Sequence, residues 1–293
     1  MFFAAGEIAA LTVKRPDALR DVYLLSPFVW REAARYRMLL RVVPRSDDPA
    51  KKIARVHYGE SGDGLHFTLH DTPAIAPGAQ DDKDGCEDPT LCIVGGRYYV
   101  YYTGWDERAK RGQLLLAEGS DVLQLKKCGT ILPWSPERKN PKEATVVQAK
   151  DGSWRMFFEY AADEKSKIGL AHAPAVNGPW TIAQPLFEAR AGSWDDWHLS
   201  TGPIVSAPGG EPVMFYNGAT RDAKWRIGWI AFDAQYSRVA DRCGEPLIVP
   251  PAQHDADATD IAFAASAVTE NGAVQIYYSV ADQDMCRAAV SSS

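Results

Sequence analysis

Two acids, Glu87 and Asp88, stand directly before Pro89 in the stretch Gly85-Cys86-Glu87-Asp88-Pro89-Thr90-Leu91. A short apolar run, a Gly95-Gly96 pair and an aromatic run over 98–103 follow. Gly-Gly between two β-rich runs signals a tight hairpin. The acids therefore sit at the mouth of a strand, where one end of a sheet meets solvent. Carboxylates crowded in a partly dry setting raise one another's pKa, so that one stays protonated near neutral pH. Such a pair suits general acid–base chemistry, one group protonating a leaving oxygen and the other activating a water. Taken alone, two acids before a proline read more readily as turn formers. What gives them company is that the unit around them recurs.

Five aromatic or aliphatic strands end in a small or polar residue, at 38–41, 100–103, 156–159, 214–217 and 276–279. Their last residues, Arg41, Thr103, Glu159, Asn217 and Ser279, recur at roughly 60-residue intervals, the mark of a repeat architecture. A shorter strand precedes each, at 27–29, 89–91, 144–147, 202–205 and 264–268. Turns separate the pairs at Gly95-Gly96, Asp151-Gly152, Pro208-Gly209-Gly210 and Asn271-Gly272, and the first pair has Glu32-Ala33-Ala34-Arg35 instead. A third strand follows in all five units and a fourth in the first four. A segment near 8–13 is expected to supply the outer strand that the fifth lacks, which removes a free sheet edge. This pattern predicts an all-β fold, a single five-bladed β-propeller over 1–293. Its blades fall at about 26–77, 86–134, 141–190, 200–250 and 260–293, the last closed by the N-terminal strand.

In such a ring the strand openings bring Ser26, Glu87, Asp88, Lys142, Glu143, Thr201 and Ser266 to one end of the central channel. The ends of the second strands bring Arg41, Thr103, Asp106, Glu159, Asn217, Ser279 and Asp282 to the same end. A purely structural ring has no need of so many ionisable groups there. Glycoside cleavage is a reaction that such a set suits. Trp105, Trp194, Trp197 and Trp225 lie near the rim, where each is either a platform for a sugar face or core packing.

Composition narrows the field. The chain has 293 residues, 46% of them hydrophobic, enough to bury a large core. A net charge of −6 and a pI near 5.6 argue against nucleic acid or an anionic membrane surface as a partner. The five cysteines are odd in number, scattered and without a CxxC pair, which points to reduced thiols, a cytoplasmic location and no metal site. The opening residues lack a basic n-region, and no run is long enough to span a membrane. No cofactor is expected.

Gly-x-Glu-Asp-Pro followed by a Tyr-Tyr strand ending Thr-Gly-x-Asp resembles the signature of glycoside hydrolase family 130, the β-mannoside phosphorylases and related β-mannosidases on a five-bladed propeller. The likeness covers most of the chain. Met38-Leu39-Leu40-Arg41-Val42, Ser61-Gly62-Asp63-Gly64-Leu65-His66-Phe67, Pro141-Lys142-Glu143-Ala144, Thr201-Gly202-Pro203-Ile204 and Tyr277-Tyr278-Ser279-Val280-Ala281-Asp282 resemble family segments in the same order. The resemblance implies that Asp88 is the general acid. It also exposes departures, because Thr90, Glu159-Tyr160 and Tyr216-Asn217-Gly218 stand where the phosphorylases place Arg, His-Arg and Tyr-His-Gly. Those cations hold phosphate in the family, and a bidentate arginine makes the strongest hydrogen bonds to it. A carboxylate at Glu159 repels it.

The expectation is an inverting, exo-acting glycosidase on β-linked mannosides or mannose-like glycans. Asp88 is its acid and Glu159 or Glu143 its base. Arg41, Lys142, Asn217 and Asp282 bind sugar hydroxyls, with Glu87, Thr103, Asp106 and His198 completing the substrate set. Three alternatives stand beside it. One is a phosphorylase that holds phosphate through Lys142, Arg41 and His198. The others are a furanosidase and a non-catalytic carbohydrate-binding propeller. In every case the partner is an oligosaccharide or glycoside.

Overall fold

A computed structural model of the chain describes residues 3–78, 81–207, 210–251, 260–270 and 272–292. Strand accounts for 60% and helix for 2%, the helix being two single-turn segments, so the fold is all-β. The second strand of each repeat carries an unbroken apolar or aromatic run because both its faces are covered. Met38, Leu39 and Leu40 are fully buried, as are Tyr101 and Tyr102, Phe157 and Phe158, and Phe215 and Tyr216.

The first sheet pairs Val22–Glu32, Arg35–Pro44, Arg55–Ser61 and His66–Ile75 in order, all antiparallel. Gly85–Val94, Arg97–Asp106, Arg111–Gly119 and Lys126–Leu132 form the second, and Lys139–Gln148, Trp154–Ala162, Lys165–Ala173 and Thr181–Ala183 the third. The fourth repeat splits into two short-stranded sheets, one holding His198–Ser200 and Asn217–Ala219, the other Ile204–Ser206 and Pro212–Met214. The break lies at Gly202, whose backbone passes so close to Phe215 that a Cβ would stand 1.8 Å from the Phe215 carbonyl oxygen. The two halves stay joined by Phe215 N–H donating to Pro203 O at 2.9 Å and Gly228 N–H to Tyr216 O at 2.9 Å.

The last sheet runs Phe3–Ala10, Asp284–Ser292, Ala273–Val280, Ala262–Glu270. Its outer strand begins earlier than the sequence suggests. Phe3 is buried between Phe215 and Trp229, at 5.4 and 5.3 Å between ring centroids, whereas Ile8 is 52% exposed. Thr12–Lys14 leaves this sheet and pairs in parallel with His66–Ile75 of the first. The N-terminal segment therefore ties the last sheet to the first.

The first strands of the repeats surround a cavity of about 110 Å³ lined by Phe28, Thr90, Thr145, Ile204 and Ala265 among others. Side chains stitch neighbouring sheets around it. Ser266 Oγ donates to Pro27 O at 2.7 Å and accepts from Val29 N–H at 2.8 Å, and Thr145 Oγ1 donates to Gly202 O at 2.9 Å.

In the first hairpin, Ala33 and Ala34 occupy left-handed conformations with φ of 47° and 63°. The turn geometry that glycine serves elsewhere is imposed here on two alanines. The other glycine turns include Pro208, Gly209 and Asn271, which lie outside the described residues. A left-handed L-residue costs roughly 1–2 kcal/mol. Ala33→Gly should therefore stabilise the protein by about 1 kcal/mol, read as a rise of about 2 °C in Tm by calorimetry. An unchanged or lower Tm would show that the turn is unstrained.

Candidate active site

The first strands of the first three sheets share a local device. Each carries a register break, between Leu25 and Phe28, Glu87 and Thr90, and Lys142 and Thr145. Within each break one residue is left-handed: Ser26 (φ 51°), Asp88 (φ 48°) and Glu143 (φ 50°). A β-bulge of this kind re-aims a side chain and concentrates at functional sites. None of the three is glycine, so the strain is borne by residues whose side chains do something.

Those side chains meet in a cavity of about 210 Å³ lined by Ser26, Arg41, Asp88, Lys142, Glu143, Glu159, Trp225, Phe263, Ser279 and Asp282, with Leu25 and Ile261. Asp88 is 4% and Glu159 3% exposed. Asp88 Oδ1 accepts from Ser26 Oγ at 2.8 Å and from Arg41 Nη1 at 3.1 Å, while Arg41 Nη2 reaches Glu87 Oε1 at 2.9 Å. Lys142 Nζ lies 3.5 Å from Glu159 Oε1, and Glu159 Oε2 is buried without a partner. Among the described residues the Glu143 carboxyl has no ion-pair or hydrogen-bond partner. Thr201 Oγ1 donates to its backbone carbonyl instead.

The site thus sets five carboxyls, Glu87, Asp88, Glu143, Glu159 and Asp282, against two cations, Arg41 and Lys142. Burial opposes ionisation of Asp88, but the charges of Arg41 and Lys142 and the Ser26 hydrogen bond outweigh it and hold Asp88 below the usual carboxylate range. Burial raises Glu143 well above that range, and the Asp88 charge raises it further. Glu87 and Asp282 are raised chiefly by burial too. Glu159 lifts Lys142 above its ordinary value. The site therefore favours a proton on Glu143 over one on Asp88.

The remaining expected site residues fall elsewhere. Glu87 stands behind Arg41, and Thr103 pairs with it across the strands, buried, with Oγ1 unpartnered. Asp106 sits at a strand end, where its Oδ1 meets Lys83 Nζ at 3.0 Å and the Ala109 amide at 3.0 Å. His198 is behind the cavity wall, accepting from Ser166 N–H at 3.0 Å and stacked on Trp225 at 5.7 Å. Asn217, expected on a sugar, is fully buried and spent on structure. Its Nδ2 donates to Thr201 O and Ala264 O, and its Oδ1 accepts from Ala264 N–H. Trp225 is the one flagged tryptophan that lines the cavity. Trp197 has Lys165 and Arg221 over its ring at 4.0 and 4.6 Å, and Trp194 packs on Tyr216. Thr90 lines the channel cavity beneath the acids, with Oγ1 unpartnered. Sequence reasoning placed Ser26 and Ser279 at the ring mouth but gave them no role, since a lone serine carries no signal of its partner.

Residues 31–292 match the family model of glycoside hydrolase family 130, described as β-1,4-mannooligosaccharide phosphorylase. A 1,2-β-oligomannan phosphorylase of Thermoanaerobacter sp. (strain X514) is 23% identical over 238 residues, 79% of this chain and 77% of the relative. Among solved structures, a β-1,2-mannobiose phosphorylase from Listeria innocua, in complex with β-1,2-mannobiose, superposes with a TM-score of 0.80 at 20% identity, covering 99% of this chain and 96% of that one. Another superposes with a TM-score of 0.76 at 19% identity, covering 96% and 94%. It is described as showing that this family of mannoside phosphorylases contains glycoside hydrolases that target β-1,2-mannosidic linkages in Candida mannan.

A raised carboxyl binds its proton more tightly in the folded state than in the unfolded one. Its contribution is present at low pH and lost as pH rises through the folded pKa. Glu143→Gln should therefore raise Tm above wild type at pH 7–8, with the difference vanishing below about pH 4.5, the ordinary glutamate range. A difference that is constant across pH would show that Glu143 ionises normally.

Proposed function

The chain belongs to glycoside hydrolase family 130, and on that premise we propose that it cleaves β-linked mannosides with water as the acceptor and inversion at the anomeric carbon. It is a glycoside-processing enzyme. The finer reading takes the ring of sheets as a five-bladed propeller, with blades at the boundaries expected above and the acids at the mouth of its channel.

The observation that carries hydrolysis is the charge balance of the cavity. Arg41 is already engaged by Glu87 and Asp88, and Lys142 by Glu159. A phosphate dianion entering here meets carboxylates, and among the described residues the two cations lining the cavity are both already paired. Two like unit charges about 4 Å apart repel by roughly 4 kcal/mol at an effective dielectric near 20. Water meets no such penalty. In this reading Asp88 and Glu143 hold one proton between them, as close carboxyls do. Sugar entering the cavity displaces water and engages Arg41, both of which raise Asp88 until it carries that proton to the leaving oxygen. Glu159, with its unpartnered Oε2, receives the proton of the attacking water. Arg41, Lys142 and Asp282 bind sugar hydroxyls, and Trp225 offers a face to a pyranose ring.

A second reading, phosphorolysis, is favoured by the activity named for the Thermoanaerobacter and Listeria relatives. It requires phosphate to displace Glu159 from Lys142. The two are separated by incubating the enzyme with β-1,2- and β-1,4-mannobiose, with and without phosphate, and identifying the products. Free mannose at a rate indifferent to phosphate is expected. Mannose 1-phosphate that accumulates only with added phosphate establishes phosphorolysis and overturns hydrolysis.

Asp88→Asn should lower kcat on either disaccharide by about 10² to 10⁴-fold with the fold intact by circular dichroism, since an amide cannot donate the proton. Wild-type turnover in this variant would reduce Asp88 to a turn residue.

A further inference from the structure

We propose that Ser26 is a positioning residue for Asp88, and that Ser279, by fixing Ser26, brings the closing sheet into the chemistry of the site. The proposal rests on the reading of Asp88 as proton donor, and it concerns how that donor is held.

Ser26 lies on the bulge of the first sheet in a left-handed conformation (φ 51°), directly before Pro27. Its backbone N–H donates to Ser279 Oγ at 3.2 Å, and its own Oγ donates to Asp88 Oδ1 at 2.8 Å. These two bonds run from the fifth sheet through the first to the second. Arg41 Nη1 takes the same Asp88 oxygen at 3.1 Å. Oδ1 is therefore doubly occupied, and Oδ2 is the oxygen without a protein partner among the described residues. That leaves Oδ2 as the atom to carry a proton to substrate, with the carboxyl plane fixed by the two bonds to Oδ1.

The left-handed backbone is what makes the bond from Ser26 possible. On a regular strand the side chain at this position would follow the alternation of its neighbours. The bulge aims it across the seam instead. A serine retained at positive φ, where glycine would relieve strain, needs a use for its hydroxyl.

The groups that face Asp88 come from every neighbouring sheet: Arg41 from the first, Glu87 beside it, Lys142 and Glu143 from the third, and Asp282 from the fifth. Ser26 is the neutral member of this set, so it changes the proton affinity of Asp88 without changing the charge of the site. A hydroxyl that donates to the ionised form favours that form. Its removal moves the Asp88 titration upward, and the alkaline limb of kcat/KM, where the Asp88–Glu143 pair loses its shared proton, moves the same way by less.

The experiment compares wild type with Ser26→Gly, which tolerates the left-handed backbone, Ser26→Asn, which tolerates it and can still donate, and Ser279→Ala. Two readouts are taken: the pH profile of kcat/KM on a β-mannobiose, and the titration of the Asp88 carboxyl carbon by 13C NMR in the ligand-free protein. For Ser26→Gly the expectation is a loss of about tenfold in kcat/KM and an upward shift of about one pH unit in the Asp88 titration, the scale of one hydrogen bond to a charged group, with a smaller upward shift of the alkaline limb. Ser279→Ala should shift both the same way by less, and Ser26→Asn should restore them. An Asp88 midpoint and kcat/KM unmoved in a folded Ser26→Gly overturn the proposal, and if that variant fails to fold, the same result in Ser279→Ala does so. The NMR titration needs no substrate, so an enzyme inert on β-mannosides would end the functional reading while leaving this test decisive.

Discussion

Four carboxyls and two cations line one cavity, with a fifth carboxyl, Glu87, behind Arg41, and most of what is particular about this chain follows from that imbalance. Arg41 and Lys142 cannot neutralise all five acids, so some must stay protonated and the rest must be placed where a cation reaches them. Asp88 takes Arg41, with Ser26 beside it. Glu159 takes Lys142. Glu143, without an ion-pair partner among the described residues, is the group whose proton affinity burial raises well above the usual glutamate range. The proton affinities of these acids are thus sorted by which of them a cation can reach, the kind of divergence by which paired titratable groups can divide acid and base work.

Holding like charges together requires a frame that does not relax. The three left-handed residues on adjacent first strands supply the aim, at a cost of roughly 1–2 kcal/mol each. The stitching between sheets supplies the resistance. Asn217 spends every hydrogen-bonding group it has on the fourth and fifth sheets, and Ser266 does the same between fifth and first. Buried polar groups that are fully satisfied in this way rigidify their surroundings. The acids are therefore pressed together by hydrogen bonds made just outside the cavity.

Much of this was legible in the sequence, and the parts that were not share a physical cause. The second strands announce themselves because apolar runs covered on both faces leave no alternation to confuse. Gly95-Gly96 marks its hairpin because glycine is cheap at positive φ, as both residues are. Ala33-Ala34 adopts the same conformation without that signal, since the flanking strand pairing decides it. The bulges at Ser26, Asp88 and Glu143 were invisible for the same reason. Asn217 shows the limit most plainly: it opens Asn217–Ala219 rather than closing the strand that ends at Met214, and position alone does not say whether an amide faces a ligand or the next sheet. Trp197 likewise sits on the rim, but two cations cover its ring.

The choice of acceptor turns on very few atoms. If Asp88 is the donor proposed above, then Asp88, Arg41 and the bulges that aim them are indifferent to whether water or phosphate attacks, because the leaving oxygen needs its proton either way. In the proposed reading only the groups on the attacking side must differ, and Glu159 is assigned to that side, with one oxygen toward Lys142 and the other buried and unpartnered. An anion placed next to that oxygen raises the local charge, whereas a water next to it satisfies the orphaned acceptor and is polarised by it. On that reading, a frame rigid enough to hold Asp88 can serve either acceptor, and the charge carried at Glu159 is what favours water over phosphate.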